Sequence, residues 1–174
     1  MKDLYVSWDE YHVLIERLAL IVHESGWSFD SILCLARGGL RVGDVLSRVY
    51  DMPLAILAAS SYRAAGGTQQ GQLDIGEFIT MATGSLSGRL LLVDDLVDSG
   101  VTLARVVDRL RVRFAGIEEI RTAVLWYKAV STVRPDYFVD YLETNPWIHQ
   151  PFEIYDAMGP AKLAARIRGG AARS

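Results

Sequence analysis

Three carboxylates fall within five residues at Asp94, Asp95 and Asp98, and Ser99, Gly100 and Thr102 follow directly. Carboxylates crowded in this way repel one another, so a ligand that uses them explains the cluster better than a structural role for all three. Two adjacent carboxylates accept hydrogen bonds from a vicinal diol, or hold magnesium through its water shell. The hydroxyls of Ser99 and Thr102 donate, and Gly100 lets backbone N–H groups approach an anion with no Cβ in the way. Together the set suits a sugar phosphate. The string also matches the aspartate-rich magnesium motif of isoprenoid synthases, but those enzymes carry it on a helix of an all-helical chain. An EF-hand is excluded, because it needs an oxygen ligand where Leu96 stands.

These residues must sit in a βα turn. Leu91-Leu92-Val93 reads as the end of a strand buried on both faces, and the apolar positions 103, 106, 107, 110 and 114 trace one face of a helix over Val101–Phe114. In open parallel sheets ligands bind beyond the carboxyl ends of the strands, where the next helix aims unpaired N–H groups and its positive dipole end. A second such turn is Ala36-Arg37-Gly38-Gly39-Leu40. Its glycines expose backbone N–H groups, and the Arg37 guanidinium offers a bidentate fit to phosphate oxygens. Alone, that stretch reads more readily as an ordinary tight turn. Beside the aspartate turn it suggests a ligand with phosphate groups at both ends.

The rest of the chain alternates strands and helices. Ser7-Trp8-Asp9-Glu10 has capping-box spacing, and Tyr11, Leu14, Ile15, Leu18, Ile21 and Val22 repeat with helical period up to Gly26. Strands are expected at Ser31–Ala36, Leu54–Ala59, Glu77–Ala82, Leu90–Asp94, Glu119–Tyr127 and Tyr137–Leu142, with helices over Leu40–Tyr50 and Ala157–Ile167. Tyr62–Gly76, rich in Gly, Gln and Ala without periodicity, reads as a mobile loop. The expected fold is a single α/β domain over residues 1–174, with a central, mainly parallel sheet flanked by helices.

With 174 residues, 51% of them hydrophobic, the chain supports one substantial core. A net charge of −3 with scattered Lys and Arg gives no footprint for nucleic acid. The one cysteine, Cys34, lies in the apolar run Ile32–Ala36 and reads as a buried thiol. Met1-Lys2-Asp3-Leu4 begins no signal-peptide core, and no apolar stretch reaches membrane-spanning length, so a cytoplasmic protein is expected. His12, His23 and His149 lack zinc spacing, and there is no Walker lysine loop, GxGxxG or nucleophile elbow.

The run Leu91–Thr102 resembles the signature of type I phosphoribosyltransferases, which bind 5-phosphoribosyl 1-pyrophosphate (PRPP), and Arg37-Gly38-Gly39 resembles their pyrophosphate loop. Tyr5–Glu10, Ser60-Ser61-Tyr62, Tyr127-Lys128, Pro135-Asp136-Tyr137 and Trp147–Glu153 are similar to the xanthine–guanine and hypoxanthine–guanine branch of that family. The resemblance implies the type I phosphoribosyltransferase fold, with a small C-terminal hood at about 137–156 over the base site. It implies Asp94 and Asp95 at the ribose hydroxyls and, through water, at Mg2+. It also implies Asp98, Ser99, Gly100, Val101 and Thr102 around the 5-phosphate, and Arg37 and Gly38 on pyrophosphate, with a cis peptide between Ala36 and Arg37.

For the base, the resemblance implies Lys128, Trp147, Ile148 and Glu153, with Ser61 and Tyr62 in a lid over the site. Lys128 only donates hydrogen bonds, which suits the O6 and N7 acceptors of a 6-oxopurine and mismatches the amino group of adenine. The implied reaction is purine salvage: transfer of the 5-phosphoribosyl group of PRPP to N9 of guanine, xanthine or hypoxanthine. Asp98 would take the N7 proton, and a nucleoside monophosphate and pyrophosphate would leave. The family tends toward homodimers or homotetramers. A PRPP-binding regulator of the same fold and a transferase for another oxo-base, such as uracil, are the alternatives. Departures from the family pattern are Ser99 where Thr is usual, Ala129 where Pro is common, Gly66-Gly67 and several glutamines in place of a charged lid, and His149 after Trp147-Ile148.

Overall fold

The computed structural model describes residues 3–61, 73–82 and 84–170. In chain order the elements are β1 (Leu4–Tyr5), α1 (Trp8–Glu24), β2 (Ser31–Ala36), α2 (Leu40–Tyr50), β3 (Leu54–Ser61), β4 (Leu73–Met81) and β5 (Gly88–Val93). They continue as β6 (Leu96–Val97), α3 (Val101–Arg113), β7 (Ile117–Lys128), β8 (Tyr137–Leu142), β9 (Ile148–His149), a 3-10 turn at Glu153–Tyr155 and α4 (Pro160–Gly170). By contacts the chain divides into two units, Leu14–Asn145 and Met1–Val13 with Pro146–Ser174.

The larger unit is built on a sheet in which β4, β3, β2, β5 and β7 lie side by side, with β6 following β5 along the same edge of β7 and β8 on its other edge. Among the described residues every pairing in this sheet is parallel except β3 with β4. The central strands are apolar runs buried on both faces, as parallel strands under helices must be. On one face Leu103, Val106 and Leu110 of α3 pack with Leu33, Leu35, Leu90, Leu92 and Val124. The opposite face carries Cys34, fully buried, and α2 lies so close that a Cβ on Gly43 would stand 2.6 Å from the Cys34 Cβ. Burial pushes the Cys34 thiol up to about 11, so it remains an unreactive core side chain.

The smaller unit has a parallel β1–β9 pair, in register Leu4 with Ile148 and Tyr5 with His149. Trp8, Tyr11 and Phe152 form an aromatic cluster there, with Tyr11 edge-on to Phe152 at 5.7 Å. Ahead of α1, the Ser7 N–H donates to Glu10 Oε2 at 2.7 Å and the Glu10 N–H to Ser7 Oγ at 3.3 Å, the reciprocal cap read from the sequence.

Several boundaries differ from expectation, most of them by one or two residues. β4 begins at Leu73, so residues 73–76 of the expected loop are strand, antiparallel to β3 with Ile75 opposite Ala59. The cause is long-range: β3 supplies the ladder, and Arg109 and Arg113 of α3 donate to the carbonyls of Ile75 and Glu77. Residues 62–72, including Tyr62, lie outside the described residues. The last helix starts at Pro160, not Ala157, because proline suits a first helical position and Gly159 precedes it. The span 137–156, expected as a hood, is shared: Tyr137–Leu142 is a strand of the main sheet, and residues from Pro146 belong to the smaller unit. Among the described residues no helix is long and apolar enough to cross a membrane.

Candidate active site

β5 and β6 lie on the same edge of β7 in one continuous register, Val93 opposite Ala123 and Leu96 opposite Trp126. Asp94 and Asp95 are the interruption between them, and β7 holds their backbone. The Asp94 N–H donates to Ala123 O at 3.1 Å, and Asp95 O accepts from the N–H groups of Leu125 and Trp126 at 3.0 and 3.2 Å. Asp94 Oδ1 accepts from the Asp95 N–H at 2.9 Å. Burial, and then the charge of Asp95, push the Asp94 carboxyl well above the usual carboxylate range.

After β6 the chain turns through Asp98, Ser99 and Gly100 into α3. Gly100 has φ +82°, which an L side chain rarely adopts. A Cβ there would also lie 2.5 Å from Ser131 Oγ and 2.9 Å from Val133 N. The Val101 N–H points to Ser99 Oγ at 3.4 Å, so Ser99 serves the start of the helix with the hydroxyl read from the sequence. Ser131, Thr132 and Val133, in the loop from β7 to β8, brace this turn and were not among the expected site residues. Their signal is only a Ser-Thr pair in a polar loop, and nothing in its spacing points at Gly100.

The Arg37 turn reaches the same place. The Ala36–Arg37 peptide is cis, as the resemblance implies. A Cβ on Gly38 would fall on the Asp95 carboxylate, 2.6 Å from Cγ, and one on Gly39 would stand 2.7 Å from Val93 O and 3.0 Å from Asp94 Cα. The two turns therefore touch through glycine, and at Gly39, where the contacts are backbone, a larger residue would force them apart. Arg37 itself is exposed at the rim.

At the end of β7, Lys128 is buried, and its Nζ lies 3.4 Å from Asp98 Oδ1, with the two side chains 5% and 33% exposed. A cation with three donors thus stands beside an acceptor carboxylate at the mouth of the Asp98–Gly100 turn. Hydrogen bonds from the Ala129 N–H to Leu142 O at 2.9 Å and from the Ser131 N–H to Lys128 O at 3.0 Å fix the backbone there without the usual proline.

In the smaller unit, Trp147 is 48% exposed and Ile148 is buried. The carbonyls of Trp147 and His149 accept from the N–H groups of Leu4 and Val6, at 2.8 and 3.0 Å, so strand alternation turns the Ile148 carbonyl away from β1. Burial pushes the Glu153 carboxyl up, while a hydrogen bond with Trp147 pulls it down. His149 is stacked on Tyr5, centroids 4.3 Å apart, and its Nε2 lies 3.0 Å from Asp3 Oδ2.

Whether magnesium fits depends on the donors. Asp94 and Asp95 offer hard oxygens at one strand end, but among the described residues no group of three or more His, Cys, Asp or Glu could hold a metal ion. Such a pair fits an ion ligated mainly by water and substrate oxygens rather than one caged by protein.

The model of the phosphoribosyl transferase domain family matches residues 7–157. A xanthine-guanine phosphoribosyltransferase of Idiomarina loihiensis is 28% identical over 155 residues, which cover 88% of this chain and 89% of that protein. Among solved structures, a purine phosphoribosyltransferase from Pyrococcus horikoshii Ot3 is 31% identical, with a TM-score of 0.71 over 87% of this chain and 94% of its own. The Helicobacter pylori xanthine-guanine-hypoxanthine phosphoribosyltransferase, 23% identical, shares the fold with a TM-score of 0.72 over 89% and 97%. With two glycine turns in contact at the carboxyl end of a mainly parallel sheet, and a family match over residues 7–157, this chain belongs to the phosphoribosyl transferase domain family.

Proposed function

We propose that the protein is a purine phosphoribosyltransferase that joins the 5-phosphoribosyl group of PRPP to N9 of a 6-oxopurine and releases pyrophosphate. The pairing of buried Lys128 with the partly exposed carboxylate of Asp98 carries this reading. Lys128 donates to O6, and Asp98 accepts the proton that N7 sheds as the N9–C1′ bond forms and the C1′–O bond to pyrophosphate breaks. The 6-amino group of adenine would set donor against donor at Lys128. Gly100 to Thr102, at the start of α3, hold the 5-phosphate with Ser99, while Asp94 and Asp95 accept from the ribose hydroxyls. Arg37 and Gly38 hold the departing pyrophosphate. Trp147, Ile148 and Glu153, in the smaller unit, are the residues assigned to the purine, Trp147 through its exposed ring. Ser61 and Tyr62 are assigned to the lid.

Magnesium, held by Asp94 and Asp95 through water, would neutralise charge on the pyrophosphate. The reading draws support from the purine enzyme of Pyrococcus horikoshii at 31% identity and from the xanthine-guanine enzyme of Idiomarina loihiensis at 28%. Its test is turnover with PRPP, magnesium and each base in turn. The expected result is a nucleoside monophosphate from guanine, xanthine or hypoxanthine and none from adenine or uracil. PRPP binding with no product from any base would favour a regulator of the same fold.

A further inference from the structure

We propose that Thr132 is a positioning residue for the phosphate cradle, holding the Ser99–Gly100 peptide so that its N–H faces the anion. The inference rests on the reading of residues 98–102 as the 5-phosphate site. An anion cradle fails if a carbonyl turns into it, because the carbonyl dipole then opposes the charge it should hold. A peptide plane between an ordinary residue and a glycine is the one most free to turn, since glycine accepts φ of either sign.

The Ser99 carbonyl is held on the outside by two donors from one residue. The Thr132 N–H donates to Ser99 O at 3.1 Å, and the Thr132 hydroxyl donates to the same oxygen at 3.2 Å. In a planar trans peptide the carbonyl and the following N–H point in opposite directions. Anchoring Ser99 O to Thr132 therefore aims the Gly100 N–H away from the bracing loop, toward the concave side of the turn.

The brace is itself fixed. Ser131 Oγ donates to Val133 O at 2.7 Å and accepts from the Val133 N–H at 3.2 Å, which closes the loop on itself. Further along, Asp136 Oδ2 accepts from both the N–H and the hydroxyl of Thr122, at 2.7 and 2.8 Å. The Asp136 N–H donates back to Thr122 Oγ1 at 2.9 Å. Thr122 lies on β7, so the far end of the loop is tied to the same strand that ends in Lys128. Thr132 is exposed, and its hydroxyl contributes nothing to the core.

The test uses the full chain and three proteins: wild type, Thr132→Val and Thr132→Ser. Valine keeps the shape and the backbone N–H but deletes the hydroxyl donor, whereas serine restores it. In Thr132→Val the KM for PRPP should rise about 3- to 10-fold, the loss expected of one hydrogen bond, with kcat and the purine KM unchanged. Calorimetric titration should show the same weakening for ribose 5-phosphate and none for pyrophosphate. Thr132→Ser should behave as wild type. A valine variant that binds ribose 5-phosphate as wild type does, or that loses ribose 5-phosphate and pyrophosphate alike, overturns the assignment of Thr132. Wild-type protein that binds PRPP but shows no 5-phosphate dependence overturns the cradle assignment itself, and the inference falls with it.

Discussion

Asp94 is partly exposed at the sheet end beside Asp95, and desolvation together with the Asp95 charge disfavours its ionised form in the folded chain relative to the unfolded one. Well below the ordinary carboxylate pKa of about 3.9 both states are protonated and no penalty exists. As pH rises from there through the raised native value, the unfolded chain releases its proton first, and stability is lost. Asp94→Asn keeps an oxygen for the Asp95 N–H and removes the charge. Its melting temperature in metal-free buffer should exceed that of wild type at neutral pH, and the gap should close as pH falls toward 4. Thermal melts across that range check this, and a gap independent of pH would contradict it. Asp98 is the base of the proposed reaction. Asp98→Asn should lower kcat by about 10²–10⁴-fold, the usual contribution of a positioned base, while the PRPP KM changes only a few-fold. Steady-state kinetics with both substrates varied separate the two effects, and unaltered turnover would take Asp98 out of the chemistry.

The two turns depend on glycine in different ways. A Cβ on Gly39 meets backbone, Val93 O at 2.7 Å and Leu35 O at 2.9 Å, which cannot move without shifting two strands. Gly39→Ala should therefore destabilise the fold by about 1–3 kcal/mol, measured by denaturant unfolding. On Gly38 a Cβ meets only the Asp95 carboxylate, a side chain that can swing away. Gly38→Ala should leave stability nearly intact and weaken PRPP binding. Equal stability losses in the two variants would mean that the turns do not meet as described. Both turns were legible as strand ends because a buried run followed by glycine or aspartate is a local pattern. β4 was not: Leu73–Gly76 has no strand signal of its own, and it becomes strand by pairing with β3 and by the donors of Arg109 and Arg113 on α3.

At the scale of the molecule, alternating apolar runs and amphipathic segments were enough to expect a mainly parallel α/β sheet, and the elements over Ser31–Ala36, Leu40–Tyr50 and Tyr137–Leu142 have the expected bounds. Hidden from the sequence were contacts between distant segments. β1 meets β9 across almost the whole chain, and the loop of Ser131 and Thr132 reaches back to Ser99. The cis Ala36–Arg37 peptide came from the family resemblance and not from any local pattern. A crystal structure of the protein soaked with PRPP and magnesium tests the account most directly. The 5-phosphate should lie against Gly100 to Thr102, with the ribose hydroxyls on Asp94 and Asp95 and the pyrophosphate beside Arg37 and Gly38. PRPP bound away from these turns would contradict it.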